Sequence, residues 1–283
     1  MMYLFPIVSL GIFKLIKENR PAILTVSLTL CVIFNFYISF MVYLFVILFF
    51  GLYALFFRST DRKIYVNLGL CGAVSLMASA FVWLPCLLQY FSSGRSSSVI
   101  SNLKDASFFS PVETTLPILL CSGVILCGVL FLFRRVSLKD KPTSFLLLLF
   151  FAVSLPLVIE PINLMWHTGS YMAFPARYGF MTSFVGLGLT AKLLSGWKFA
   201  EKSKPKAIYI CLTVGLICVF SLIFTLSNQD ILSAYTATLW GTADSLKGQI
   251  FIALFFVLSY FLVLFYAKRK VLCKRVVAVF LCL

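Results

Sequence analysis

Three features of the sequence predict an all-α polytopic membrane protein. The first is composition: 61% of the 283 residues are hydrophobic and 12% charged, with a mean hydropathy of +1.04. A soluble domain is about half apolar and about a quarter charged. The second is the recurrence of apolar runs of about 17–22 residues, each long enough as a helix to cross about 30 Å of hydrocarbon. Alternation of strand period is absent, and a bilayer obliges each span to satisfy its own backbone, so the spans are helices. The third is charge placement. The net charge of +15 would fit a nucleic-acid binder if it were clustered on a soluble surface. Instead, 20 of the 24 Lys and Arg residues fall in 14–20, 58–63, 134–141, 192–206 and 268–275. The remaining four, Arg95, Lys104, Arg177 and Lys247, lie in or beside the alternate loops. That asymmetry puts the basic loops in the cytoplasm.

Taken in order, the apolar runs predict spans at 1–13, 22–34, 41–57, 64–85, 114–133, 143–159, 178–196, 207–226 and 249–267, with a stub from 276. That is about nine transmembrane helices plus a truncated C-terminal one, in a single helical domain over 1–283. The first 20 residues carry no basic start ahead of their apolar stretch, so no cleavable signal is expected. The first run and the last, "VVAVFLCL", are both short for a span. Such ends are expected of a piece of a longer protein. The nine cysteines fall nearly all within spans and lack metal-ligand spacing. They read as small buried apolar residues, with no metal site and no disulfide expected.

Three outer loops follow from this topology: 86–113, 160–177 and 227–247. The first contains "SSGRSSS", a flexible stretch that acts as a lid over a cleft or as a solvated tether. The third carries apolar spacing for a short interfacial helix anchored by Trp240. Residues 35–40, "NFYISF", read as a tight turn after a 13-residue run. Thirteen residues cover only about 20 Å. Either that helix begins lower, inside "KLIKENRP", or Asn35 and Tyr37 sit at depth facing a wet cleft. An ordinary interfacial turn is the plainer alternative. Pro85, Pro111 and Pro161 mark helix boundaries.

The densest mixture of polar and aromatic residues is "NLMWHTGSYMAFPARYGF", residues 163–180, which includes the only histidine. Arg177 at a helix mouth either snorkels to headgroups or presents its fork of N–H donors to a phosphate. His167 is either a structural hydrogen-bonder or a donor and proton exchanger at that phosphate. Trp166, Tyr171 and Tyr178 form an interfacial belt or stack on sugar rings. Among the acids, Glu18, Asp61, Asp140 and Glu201 accompany the basic loops, whereas Asp105, Glu113, Glu160, Asp230 and Asp244 lie outside. Glu160 adjoins the opening of the stretch. Read as the C-terminal edge of a span, it meets a helix dipole that disfavours its charge and favours a basic role.

Two motifs carry a family resemblance across essentially the whole chain. The N-terminal stretch pairs a "P…GI.KL" helix end with an "NFY.SYM"-like turn, here Asn35, Phe36, Tyr37, Ile38, Ser39, Phe40 and Met41. The later "WH…FP.RY.F" pattern is carried by Trp166, His167, Phe174, Pro175, Arg177, Tyr178 and Phe180. In this order they resemble the bacterial YfhO membrane-protein family, which is similar to the GT-C glycosyltransferases. The resemblance implies a GT-C-like helical bundle in a bacterial cell membrane. It also implies transfer of a sugar from a polyprenyl-phosphate carrier to an envelope polymer such as lipoteichoic acid, with no certain cofactor. That class usually keeps a catalytic aspartate in a first outer loop, upstream of the region matched here, so the resemblance implies that this residue lies outside the chain.

Combining the two readings gives Glu160 and His167 as catalytic candidates. Arg177, Trp166, Tyr171, Asn163, Tyr178, Asn35 and Tyr37 are the substrate-binding candidates, and no metal is expected. Two other functions remain: a lipid-linked sugar flippase, which would call for ionisable groups and interrupted helices at mid-membrane, and a truncated, non-catalytic membrane protein.

Overall fold

A computed structural model describes residues 2–57, 61–92, 99–110, 118–119, 121–133, 140–170, 176–195 and 243–268. Among them, every regular element is helical. After a 3₁₀ turn at Met2–Leu4 come α1 (Phe5–Glu18), α2 (Ala22–Phe34), α3 (Phe36–Phe56), α4 (Arg62–Ala78), α5 (Ala80–Ser92) and α6 (Val99–Asp105). They are followed by α7 (Ser122–Phe133), α8 (Lys141–Val158), α9 (Glu160–Trp166), α10 (Gly179–Ser195) and α11 (Ala243–Lys268). Among the described residues, two helices, α3 and α8, are long and apolar enough to cross a membrane unaided, and a third span arises if the bent pair α4–α5 counts as one. The expected spans at 207–226 and from 276 lie outside the described residues. So do Trp240 and the middle of the outer loop 227–247, where a short interfacial helix is expected, the "SSGRSSS" stretch beyond Ser92, and Pro111; residues 243–247 of that loop instead open α11.

The chain groups into two compact units, residues 1–110 with 151–181, and 111–150 with 182–283. In the first, α1 and α2 pack closely where Gly11 meets Leu24; a Cβ on Gly11 would stand 2.7 Å from the Leu24 Cα, so that crossing admits only glycine without a shift. Phe5, Val8, Ile12 and Leu15 of α1 are buried with Leu24, Leu28 and Val32 of α2 and Met41, Val42 and Phe45 of α3. Phe5 meets Phe45 and Phe180 edge-on, at 4.9 and 5.3 Å between ring centroids. On α3, Ile47 and Leu55 are two-thirds exposed. A helix apolar on its outer face as well as its inner one suits lipid rather than water.

The junction of α2 and α3 corrects the expected six-residue turn. The break is Asn35 alone: its backbone N–H donates to the Cys31 carbonyl, ending α2, and its side-chain oxygen accepts from the Ile38 N–H at 3.0 Å, starting α3. One capping asparagine thus supplies partners at both helix ends. Nor does α2 begin inside "KLIKENRP"; that segment finishes α1, with Asn19 left-handed at its C-cap.

Pro85 is likewise not a boundary but lies inside α5. The break is six residues earlier at Ser79, where α4 and α5 bend by 72°. Side chains take up the disturbed carbonyls there: the Ser79 hydroxyl donates to the Ser75 carbonyl at 2.6 Å, and the Trp83 indole N–H to the Leu76 carbonyl at 2.9 Å. The Tyr43 hydroxyl bonds the Ser75 hydroxyl at 2.5 Å, tying α3 to the bend. Away from water, a helix break persists only where such partners exist.

In the second unit, α7, α10 and α11 share a core of Ile125, Leu126, Leu130, Leu189, Leu193, Tyr260 and Leu264. Gly186 of α10 gives room to the Phe150 ring, and Gly123 of α7 to Leu187. Asp140, just ahead of α8, accepts a hydrogen bond from the Thr143 hydroxyl at 2.5 Å and pairs with Lys192 at 3.5 Å. The hydroxyl and then the ammonium hold its carboxyl below the ordinary value of 3.8. A lowered folded-state value means that the stabilisation is present above the ordinary aspartate range and is lost as pH falls through the lowered value. Thermal unfolding followed from pH 7 to pH 3 should therefore show an acid-side loss of stability that shrinks in Asp140→Asn.

Candidate functional site

Glu160, Asn163 and His167, buried polar residues of the first unit, gather where α8 gives way to α9. Between those helices, Ile159 forms an isolated antiparallel bridge with Phe109. The Glu160 N–H donates to the Phe108 carbonyl at 3.1 Å, and the Ser110 N–H to the Val158 carbonyl at 2.9 Å. Pro161 then occupies the start of α9, where its missing N–H costs nothing. The helix closes at His167, followed by Thr168 and Gly169 with φ of 59° and 96°. Gly169 suits that conformation, but Thr168, being β-branched, holds it at a cost of about 1–2 kcal/mol. The turn is fixed from both sides: the Gly169 N–H donates to the Leu164 carbonyl at 2.8 Å, and the Asn102 amide of α6 donates to the Gly169 carbonyl at 3.0 Å.

Within this frame Asn163 joins two groups. Its amide donates to Glu160 Oε2 at 3.1 Å, and its carbonyl accepts from the Tyr178 hydroxyl at 2.9 Å. Asn163, His167 and Tyr178 have no exposed surface, and Glu160 and Trp166 are also buried. Around Tyr178 the rings close up, with Trp166 at 5.1 Å and His167 at 5.6 Å between centroids. From the first turn of α3, 130 residues away in sequence, the Tyr37 hydroxyl reaches Nδ1 of His167 at 2.5 Å. The guanidinium carbon of Arg177 stands 5.2 Å from the centroid of the Tyr37 ring, a cation–π contact. An acid, an amide, an imidazole, two phenols and a guanidinium thus occupy one cluster, capable of anion binding at Arg177 and of proton exchange along Tyr37 and His167.

The family model of the bacterial membrane protein YfhO matches residues 1–283. The chain belongs to the YfhO family. No curated protein and no solved structure matches it.

In this YfhO protein the site residues named from sequence have the following places. Glu160, Asn163, Trp166, His167, Arg177, Tyr178 and Tyr37 come together as described. Asn35 serves the cluster through the backbone, by capping the helix that carries Tyr37. Tyr171 lies outside the described residues. Glu160 is not the C-terminal edge of a span: α8 ends at Val158, and Glu160 opens α9, where the helix dipole favours a negative charge rather than opposing it. Asn163 and Tyr178, expected to touch substrate, are fully enclosed and bond each other.

Sequence reasoning missed Asn102 and the strand-like pairing of 108–110 with 158–160. No local signal marks either of them. Gly169 after "WHT" is the signal that could have marked the turn, since glycine just beyond a helix commonly takes the left-handed conformation that ends it.

Replacing Asn163 by leucine keeps much of the volume and removes both bonds. Each buried group deprived of a partner costs about 1–3 kcal/mol. Thermal unfolding in lipid nanodiscs should show a clear drop for Asn163→Leu and a smaller one for Tyr178→Phe, which removes only a donor.

Proposed function

We propose that this YfhO protein is a membrane glycosyltransferase, or part of one. It would transfer a sugar from a polyprenyl-phosphate carrier to a cell-envelope polymer, such as lipoteichoic acid, at the outer face of the bacterial membrane. The reading takes the chain as multi-pass, with about nine transmembrane helices plus a C-terminal one in a GT-C-like bundle and the basic loops cytoplasmic. The observation that carries it is the convergence of Arg177, Tyr37 and His167. A permanently charged guanidinium beside proton-exchanging groups suits a reaction whose leaving group is a lipid phosphate.

In such a transfer an acceptor hydroxyl attacks the anomeric carbon and loses its proton to a base, while the carbon–oxygen bond to the phosphate breaks. Negative charge grows on the departing phosphate, so a fixed donor there is worth most in the transition state. Arg177 is the candidate for that role, Trp166 or Tyr171 is the candidate for contact with the sugar, and Glu160 and His167 are the candidate catalytic residues.

One observation favours the alternative of a lipid-linked sugar flippase: the 72° break between α4 and α5, because broken helices line transport pathways. Against it, the ionisable cluster lies at the α8–α9 junction and not at that break.

The test is transfer of labelled sugar from a polyprenyl-phosphate donor to envelope polymer in membranes containing this protein. Arg177→Ala should lower transfer by about 10²–10³-fold, the range for losing one transition-state donor, and Arg177→Lys should restore part of it. Equal transfer by Arg177→Ala and the parent would contradict the reading.

A further inference from the structure

We propose that Tyr37 is the residue that exchanges a proton with the substrate at this site, and that His167 receives that proton from it inside the protein. The starting point is a mismatch of exposure. His167 has no exposed surface, so a substrate hydroxyl cannot reach its ring. Tyr37, its hydrogen-bond partner at 2.5 Å, is only half-buried. The phenol is therefore the more accessible member of the pair.

The chemistry of the pair sets the direction of the bond. A phenol is the better donor of the two and a neutral imidazole nitrogen the better acceptor, so the shared proton rests on the Tyr37 oxygen and points at Nδ1. The neutral ring then carries its own proton on Nε2. Arg177 biases the same pair. Its positive charge over the Tyr37 ring face stabilises negative charge developing in the phenol as its proton moves away. Asn35 adds position: by accepting from the Ile38 N–H it fixes the first turn of α3, on which Tyr37 lies. The rings of Tyr37 and Tyr178 stand 5.8 and 5.6 Å from that of His167, which holds the imidazole plane in place.

For the substrate of this step the inference rests on the glycosyl-transfer reading. The acceptor O–H bond breaks and its proton passes to the Tyr37 oxygen, while the proton of Tyr37 moves to Nδ1 and makes His167 an imidazolium. The electron pair freed on the acceptor oxygen forms the new bond to the anomeric carbon. The bond from that carbon to the phosphate oxygen breaks, its pair leaving with the phosphate beside Arg177. The imidazolium returns its proton through Tyr37 to the released phosphate, restoring the pair. Tyr37 is thus the catalytic residue and His167 acts through it.

The chain has a single histidine, so ¹⁵N-histidine labelling of the full chain in nanodiscs, without a histidine tag, reports this ring alone. The expected spectrum at neutral pH has Nδ1 as an unprotonated, hydrogen-bonded nitrogen and Nε2 as an N–H. Tyr37→Phe keeps the ring under Arg177 and removes the hydroxyl. It should move the Nδ1 resonance and lower the maximal rate of sugar transfer by about 10²–10⁴-fold, the usual contribution of a proton-transfer group, with little change in KM. A wild-type spectrum with the proton on Nδ1 would overturn the proposal, and needs no variant that folds. Unchanged transfer by a folded Tyr37→Phe protein would also overturn it while leaving the glycosyl-transfer reading intact. If the spectrum is as expected but the wild-type protein transfers no sugar, the glycosyl-transfer reading fails, and the step assigned to Tyr37 fails with it.

Discussion

Burying Asn163 completely obliges its carbonyl and its amide to find partners within the protein, and the partners they find shape the surroundings. Its amide meets Glu160 and its carbonyl meets Tyr178, so the residue that opens α9 and the residue just ahead of α10 are held at one point. Tyr178 in turn supports Trp166 on one side and His167 on the other. Without the carboxamide the acid and the phenol would each lose a bond in a place that water does not reach. The same cluster carries the contacts of Tyr37 with His167 and with Arg177.

Holding a polar cluster inside an apolar helical protein also requires the helices to stop in the right places. Here short devices end them. Asn35 alone separates α2 from α3, Ser79 separates α4 from α5, and a single bridge between Phe109 and Ile159 separates α8 from α9. Each break is paired locally, by a side chain or by a facing backbone. At Ser79 the pairing accompanies a 72° bend between the two helices.

The helical class was fully legible, because composition and run length respond to the solvent in which the chain sits and not to its partners. The local content of the site was legible too: a histidine, a tryptophan, an arginine and several phenols crowded into 18 residues stand out against aliphatic neighbours. The pairing of Tyr37 with His167 was not, since nothing in "NFYISF" says which distant segment it faces. The sign of the dipole at Glu160 was misread for a narrower reason. Glu160-Pro161 ends one helix and begins another within two residues, and a proline serves either purpose; only the seven-residue length of α9 shows that the second applies. The six-residue turn at 35–40 shrank to one residue because the asparagine side chain does the capping that additional turn residues would otherwise provide.

On the proposed glycosyl-transfer reading, Arg177, Tyr37 and His167 form one site that receives a lipid phosphate. The most direct test is an experimental density map of the protein in a lipid nanodisc with a bound polyprenyl phosphate. The site described here predicts phosphate density within hydrogen-bonding reach of the Arg177 guanidinium, about 2.7–2.9 Å from nitrogen to oxygen, with Tyr37 still joined to His167 beside it. Phosphate density elsewhere, or a first turn of α3 standing apart from residues 163–169, would contradict it.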